Sequence, residues 1–235
     1  LLGFCDGEIV DALLYHARSI GMVFRLGEDV VRTSLLGEDR VAIELESGKR
    51  LVAESVLMSV GRKGDVEGLN LEAAGLSTVG RGRLEINEHQ QTAVPHIYAV
   101  GDVVGFPALA STAMEQGRRA VAHAFQQEEY ALSMMPYGLF TIPEISMYGA
   151  SEEELTKKCV PYEVGVARFR EIARGQILGD KMGMLKLLFH RETRKLLGVH
   201  CIGESATEIV HIGQAVMHFG GTMDYFRDTV FNYPT

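Results

Sequence analysis

Tyr98-Ala99-Val100-Gly101-Asp102 closes a short apolar run, Ile97 to Val100, with two residue types suited to receiving a polyhydroxyl ligand. Glycine has no Cβ, so a ligand can come close to the main chain at Gly101. The Asp102 carboxylate is acceptor-only and can take hydrogen bonds from the hydroxyls of a sugar-like chain. A few residues on, Leu109-Ala110-Ser111-Thr112-Ala113 opens a helical pattern. A helix start there brings unpaired N–H groups and the positive end of a dipole to the same region. An ordinary buried strand ending in a turn uses the same residue types, so the rest of the chain has to decide between the two readings.

Other candidates for chemistry are weaker. Cys5, Cys159 and Cys201 are isolated, odd in number and without metal spacing. They read as small buried apolar residues in a reducing, cytoplasmic setting. Glu208 and His211 share a helix face, but no third ligand is near in sequence, so a solvated or dimer-facing pair is expected and no metal. No Gly-x-Gly-x-x-Gly occurs in the chain, so a pyrophosphate-binding turn of that type is absent from it.

The chain has 235 residues, 46% of them hydrophobic and 23% charged, with a formal charge of −8. These values fit one large or two modest globular domains. The acidic balance and the lack of any Lys/Arg run argue against a nucleic-acid or anionic-membrane partner. No apolar stretch reaches the length of a membrane span.

The elements that would position these residues follow from periodicity. Asp6 is placed to cap a helix carrying Ile9, Val10, Leu13, Ala17 and Ile20 at helical spacing, with Gly21 to stop it. Met22 to Leu26 reads as a short strand. Val30 to Leu36 and Arg40 to Leu45 alternate, and Ser47-Gly48 turns the chain back into Arg50 to Ala53. The apolar run Ser55 to Val60 reads as a buried strand ending at Gly61-Arg62. Residues 63 to 90 look like a connection, and a helix of small residues is expected from about Ser111 to Gln126. Beyond Pro136, strands are expected at Phe140 to Ser146, Tyr162 to Phe169, Met184 to His190 and Lys195 to Cys201. A short helix capped by Ser151 and a longer one from Glu204 to about Phe219 complete the pattern. The expectation is an antiparallel sheet with helices on one face.

Four landmarks, in order, are Gly61-Arg62, Tyr98-Ala99-Val100-Gly101-Asp102, Thr141-Ile142-Pro143-Glu144-Ile145, and Gly198-Val199-His200-Cys201-Ile202-Gly203-Glu204-Ser205-Ala206-Thr207-Glu208-Ile209. Their order and spacing resemble the pyridine nucleotide-disulfide reductases over nearly the whole chain. The resemblance implies a mixed fold, α/β and α+β: remnants of Rossmann-like FAD and NAD(P) domains, followed by an α+β dimerisation domain with an antiparallel sheet. It divides the chain into residues 1–62 (latter part of an NAD(P)-binding domain), 63–130 (C-terminal part of an FAD-binding domain) and 131–235 (dimerisation domain, expected to be truncated at its C-terminus). The cofactors implied are FAD, NAD and NADP, and the partner implied is a second copy of the chain, bound through the C-terminal domain.

The family pattern also distributes roles. Asp102 beside Gly101 would accept a hydrogen bond from the ribityl chain. Leu109, Ala110 and the first turn after them would present N–H groups to the flavin edge where negative charge develops on reduction. Val60 and Gly61 would line the nicotinamide side, and no residue is assigned as catalytic. Arg62 is expected in a structural ion pair, and His200 as a satisfied interface residue.

Disulfide-reducing members carry His-Pro-Thr where this chain has Tyr233-Pro234-Thr235. A phenol with a pKa of about 10 is a poor base at neutral pH. The resemblance therefore favours the transhydrogenating branch, which passes hydride between NADPH and NAD+ through FAD and needs no thiol base. Two alternatives stay open, namely a disulfide reductase of the same class and a non-catalytic dimerisation module. The family has two pyrophosphate turns, so this chain is expected to be about the second half of a longer protein and inactive alone.

Overall fold

A computed structural model describes residues 1–127 and 134–235. In chain order the elements begin with helix α1 (Gly7–Ser19), strands β1 (Val30–Leu36), β2 (Arg40–Leu45) and β3 (Arg50–Ala53), and helix α2 (Ala110–Ala124). Strands β4 (Tyr137–Leu139) and β5 (Ile145–Gly149), helix α3 (Glu152–Lys157), strand β6 (Tyr162–Arg168) and helix α4 (Ala173–Leu178) follow. Strands β7 (Met184–His190) and β8 (Leu196–Ile202) then lead into helices α5 (Ala206–His218) and α6 (Met223–Asp228). The elements form two units: Leu1–Asp29 with Met134–Thr235, and Val30–Ser133. The first 29 residues thus cluster with the C-terminal sheet, whereas the sequence reading joins them to residues 30–62.

In the first unit the sheet order is β4-β5-β8-β7-β6, antiparallel throughout. Register puts Ile145, Ile202 and Met184 side by side, and Ile9 and Leu13 of α1 pack on them. Tyr148 and Val199 point the other way, toward Val210 and Val216 of α5. Helices therefore cover both faces, not the one face expected. The cause lies in β7 and β8, whose residues are buried or half-buried on both sides. Each fully buried Ile or Met in these layers contributes roughly 1.5–3 kcal/mol.

The caps expected for α1 and α3 are present. The Asp6 side chain accepts from the Glu8 N–H, and Ser151 Oγ accepts from the Glu154 N–H. The single strand expected over Phe140 to Ser146 is instead a hairpin, with Leu139 paired to Ile145 and the cis Ile142-Pro143 bond in its turn. Pro143 cannot donate to a ladder, which puts it between strands.

In the second unit β1-β2-β3 form a meander, closed by Gly48 at a positive φ of 81°. Three expected strands do not form, the first of them in the first unit and the other two in the second. Met22 to Leu26 and Ser55 to Val60 are irregular, and Leu57 is 92% exposed. A buried strand persists only when neighbours take its N–H and C=O groups, and no described segment pairs with either stretch. Ile97 to Val100 makes one bridge, Gln91 to Tyr98, within a narrow hairpin held by Thr92 N–H to Ile97 O (2.9 Å) and Ala99 N–H to Gln90 O (3.0 Å).

Candidate functional site

Gly101 to Val104 form a single 3-10 turn that begins on the extended residue Val100. Gly101 has φ +78°, and a Cβ there would lie 3.4 Å from Ala113 Cβ, so the turn rests directly on the first turns of α2. The Gly101 N–H donates to Gln116 Oε1 at 2.7 Å, which ties the turn to α2 a second time. Gln116 was not singled out from sequence. Its position on the buried side of α2, one turn beyond Thr112, is the signal that could have found it.

The groups left at this corner are the ones a ligand would use. Asp102 is exposed, and its carboxylate has no hydrogen-bond or ionic partner among the described residues. Leu109 sits at the N-cap of α2 in extended conformation and supplies no side-chain cap. The first intrahelical bond is Ala113 N–H to Leu109 O, so the N–H groups of Ala110, Ser111 and Thr112 have no backbone acceptor among the described residues. Thr112 is 1% exposed, and its hydroxyl has no partner among the described residues. A buried hydroxyl without an acceptor or donor is costly unless something else completes it.

Val60 and Gly61 lie in the same unit, on a strip of irregular chain. Arg81 holds that strip from both ends: its guanidinium donates to Val60 O at 3.1 Å and its carbonyl accepts from Gly64 N–H at 2.9 Å. The guanidinium fills the space beside Gly61, where a Cβ would approach Nη1 to 2.6 Å. Arg81 belongs to a tight hairpin, Val79 to Arg83, whose following residue Leu84 donates to Val103 O at 2.9 Å. The hairpin thus touches both the Val60-Gly61 strip and the Gly101–Val104 turn. Arg62 makes no ion pair among the described residues, contrary to expectation; its neighbour Lys63 pairs instead with Glu67 at 2.7 Å.

Away from this corner, sequence candidates resolve into structural roles. His200 is 1% exposed, inside the core and not at a surface, with Nε2 2.9 Å from Ala150 O; burial holds its pKa below the usual histidine value. Glu144 accepts from Thr207 Oγ1 at 2.9 Å and caps the start of α5. His211 pairs with Gln214 at 2.8 Å, and among the described residues no group of three His, Cys, Asp or Glu side chains is placed to hold a metal ion. Cys5 and Cys201 are buried, and burial pushes their thiols up to about 11 and about 12 respectively. They are protonated at neutral pH and poor nucleophiles. Tyr233 is exposed, its hydroxyl 3.4 Å from the Ala173 N–H. Among the described residues, no helix is long and apolar enough to cross a membrane.

Residues 1–117 match the pyridine nucleotide-disulphide oxidoreductase family, and residues 135–235 match that family's dimerisation domain. The chain belongs to the pyridine nucleotide-disulphide oxidoreductases. Within that family it is 55% identical, over its whole length, to a soluble pyridine nucleotide transhydrogenase of Mycobacterium tuberculosis, of which it covers 50%. It is 51% identical to the protein of the same name from Chromohalobacter salexigens, covering 51%. The chain therefore spans about half the length of the curated relatives it matches. Among solved structures, the HOCl-induced flavoprotein disulfide reductase RclA from Escherichia coli superposes with a TM-score of 0.89 at 24% identity, over 98% of this chain and 53% of that one. At that identity the likeness establishes the fold alone.

Proposed function

We propose that this chain is a C-terminal part of an FAD-dependent oxidoreductase that transfers hydride between NADPH and NAD+. The observation that carries the reading is the 55% identity, along the entire chain, to proteins named soluble pyridine nucleotide transhydrogenase. The Gly101 corner fits FAD. It offers a carboxylate, three N–H groups at a helix start and a buried hydroxyl, none with a partner among the described residues, and a glycine surface. When bound, FAD supplies the electron relay between the two nicotinamides.

The chain's own residues bind and orient. Asp102, next to Gly101, accepts a hydrogen bond from a ribityl hydroxyl. Leu109 and Ala110 open the helix whose N–H groups and dipole favour negative charge on the flavin edge. Val60 and Gly61, braced by Arg81, line the nicotinamide side. Residues 1–62, 63–130 and 131–235 correspond in the longer protein to parts of the NAD(P), FAD and dimerisation domains, and the last pairs two copies of the chain. A cytoplasmic location accords with unpaired cysteines.

The test is an assay of the longer protein that contains this chain. NADPH-dependent reduction of an NAD+ analogue, with no activity on lipoamide or glutathione disulfide, is the expected result. Disulfide reduction without transfer between nucleotides would replace this reading with the disulfide-reductase one.

A further inference from the structure

Lys186 lies in the middle of β7, is completely buried, and carries its charge into the layer between the sheet and α1. Its ammonium group pairs with Asp6 Oδ1 at 2.8 Å, with Glu8 Oε2 at 3.1 Å, and with Glu152. Asp6 is equally buried, and its two oxygens are divided between two helices. Oδ1 accepts from the Glu8 N–H of α1 at 3.2 Å, and Oδ2 accepts from the Glu152 N–H of α3 at 3.3 Å. The exchange is reciprocal, since Glu153 of α3 returns a carboxylate oxygen to the Gly7 N–H of α1 at 2.9 Å. Two helix N-termini, each rich in unpaired N–H groups, therefore cap one another across 146 residues of sequence, around a single lysine.

The arrangement joins parts that the family comparison separates. Asp6, Glu8 and α1 fall in the 1–117 match, whereas Glu152 and Lys186 fall in the dimerisation match. We propose that Asp6, Lys186 and Glu152 form an electrostatic latch that seats α1, an element of the nucleotide-binding part, in one fixed register on the dimerisation sheet. The apolar contacts of Ile9 and Leu13 with Ile145, Met184 and Ile202 supply attraction but little direction, because hydrophobic burial is non-directional. The charges supply the address. A one-turn slip of α1 would leave Lys186 buried without Asp6, and an unpaired buried charge is among the most costly defects a core can hold. None of these contacts depends on the reaction the longer protein performs.

Residue-resolved hydrogen exchange on the chain tests the latch. In Lys186→Met the buried Asp6 carboxylate loses its counter-charge, and the α1 amides, Val10 to Ala17, should exchange roughly a hundredfold faster. Amides of β8 should change far less. Adding Asp6→Asn to Lys186→Met removes both charges and keeps a competent N-cap, so protection of α1 should return to within about tenfold of the parent. Equal loss in α1 and β8, or a double variant no better than the single one, would overturn the proposal. If Lys186→Met does not fold, Glu152→Gln serves in its place. It should speed exchange at the Glu8 and Glu152 amides together, and unchanged exchange at Glu8 would overturn the latch equally.

Discussion

Two glycines at the Gly101 corner should respond to the same substitution with opposite signs. Gly101 holds φ +78°, a conformation that costs an L-residue roughly 1–2 kcal/mol. Replacing Gly by Ala also removes unfolded-state freedom, which returns about 0.4–1 kcal/mol. The new methyl would sit 3.4 Å from Ala113 Cβ, an ordinary contact that adds little either way. Gly101→Ala should therefore destabilise the corner by roughly 1 kcal/mol. Gly117 lies inside α2, and a methyl group added there would meet nothing within 4 Å. Gly117→Ala should stabilise α2 by up to about 1 kcal/mol, the helix-propensity difference between the residues. The chain has two units, so a single melting temperature is a poor readout. Hydrogen exchange at Leu84 N–H, bonded to Val103 O, and at Ala99 N–H reports the corner directly. About fivefold faster exchange is expected for Gly101→Ala and no acceleration for Gly117→Ala. A neutral Gly101→Ala, or equal loss in both variants, would refute the idea that the turn is held in the left-handed region against α2.

Other consequences follow from the first unit. Burial alone would raise Asp6, but its hydrogen bond to Lys186 and the nearby positive charges bring its pKa below the usual carboxylate value. Its contribution is thus complete above the unfolded value of about 3.9 and disappears as pH falls through the lower folded value; α1 protection measured from pH 5 downward should decline only at the acid end. Lys186 is opposed by burial and raised by its carboxylate partners, so its contribution is present below the unfolded value of about 10.4 and is lost only as pH rises through the higher folded one. Acceleration of α1 exchange between pH 6 and 8, beyond the intrinsic rate, would contradict both signs. For the thiols, a disulfide-exchange reagent should titrate Cys159 alone in the native chain and all three cysteines in denaturant. Rapid native modification of Cys5 or Cys201 would show that those sites open. Gly198→Ala should destabilise the sheet by more than 1 kcal/mol, because its methyl would fall 2.1 Å from Ala150 O where β5 and β8 meet; chemical denaturation checks the loss.

Much of this fold can be read from sequence, wherever the information is local. Caps at Asp6 and Ser151, the Ser47-Gly48 turn and the alternating or continuous apolar runs of β2, β7 and β8 are set by neighbours a few residues away. Failures occur where an element depends on a distant partner. Ser55 to Val60 has the composition of a buried strand, but composition cannot supply the adjacent strand that would bury it. Lys186 looks like one polar residue in an apolar strand, and only a fold that brings Asp6 across 180 residues reveals its charge partner. At the candidate site, residue types single out Asp102, Gly101 and the start of α2 as candidates. Gln116, Thr112 and Arg81 were missed because their roles lie in the packing of one segment on another, which no short motif encodes.

The Gly101–Asp102 corner is the heart of the functional proposal, and flavin retention tests it most directly. The longer protein containing this chain should be purified with and without Asp102→Ala, and flavin per protein measured by absorbance after gel filtration. Removing the carboxylate deletes a charged acceptor that has no hydrogen-bond or ionic partner among the described residues, so folding should be unaffected while the proposed ribityl hydroxyl loses its partner. A charge-assisted hydrogen bond of about 1.5–3 kcal/mol corresponds to roughly ten- to hundredfold weaker retention. The expected result is a folded variant that loses most of its flavin on the column. A variant that keeps the parent's flavin content would contradict the role given to Asp102.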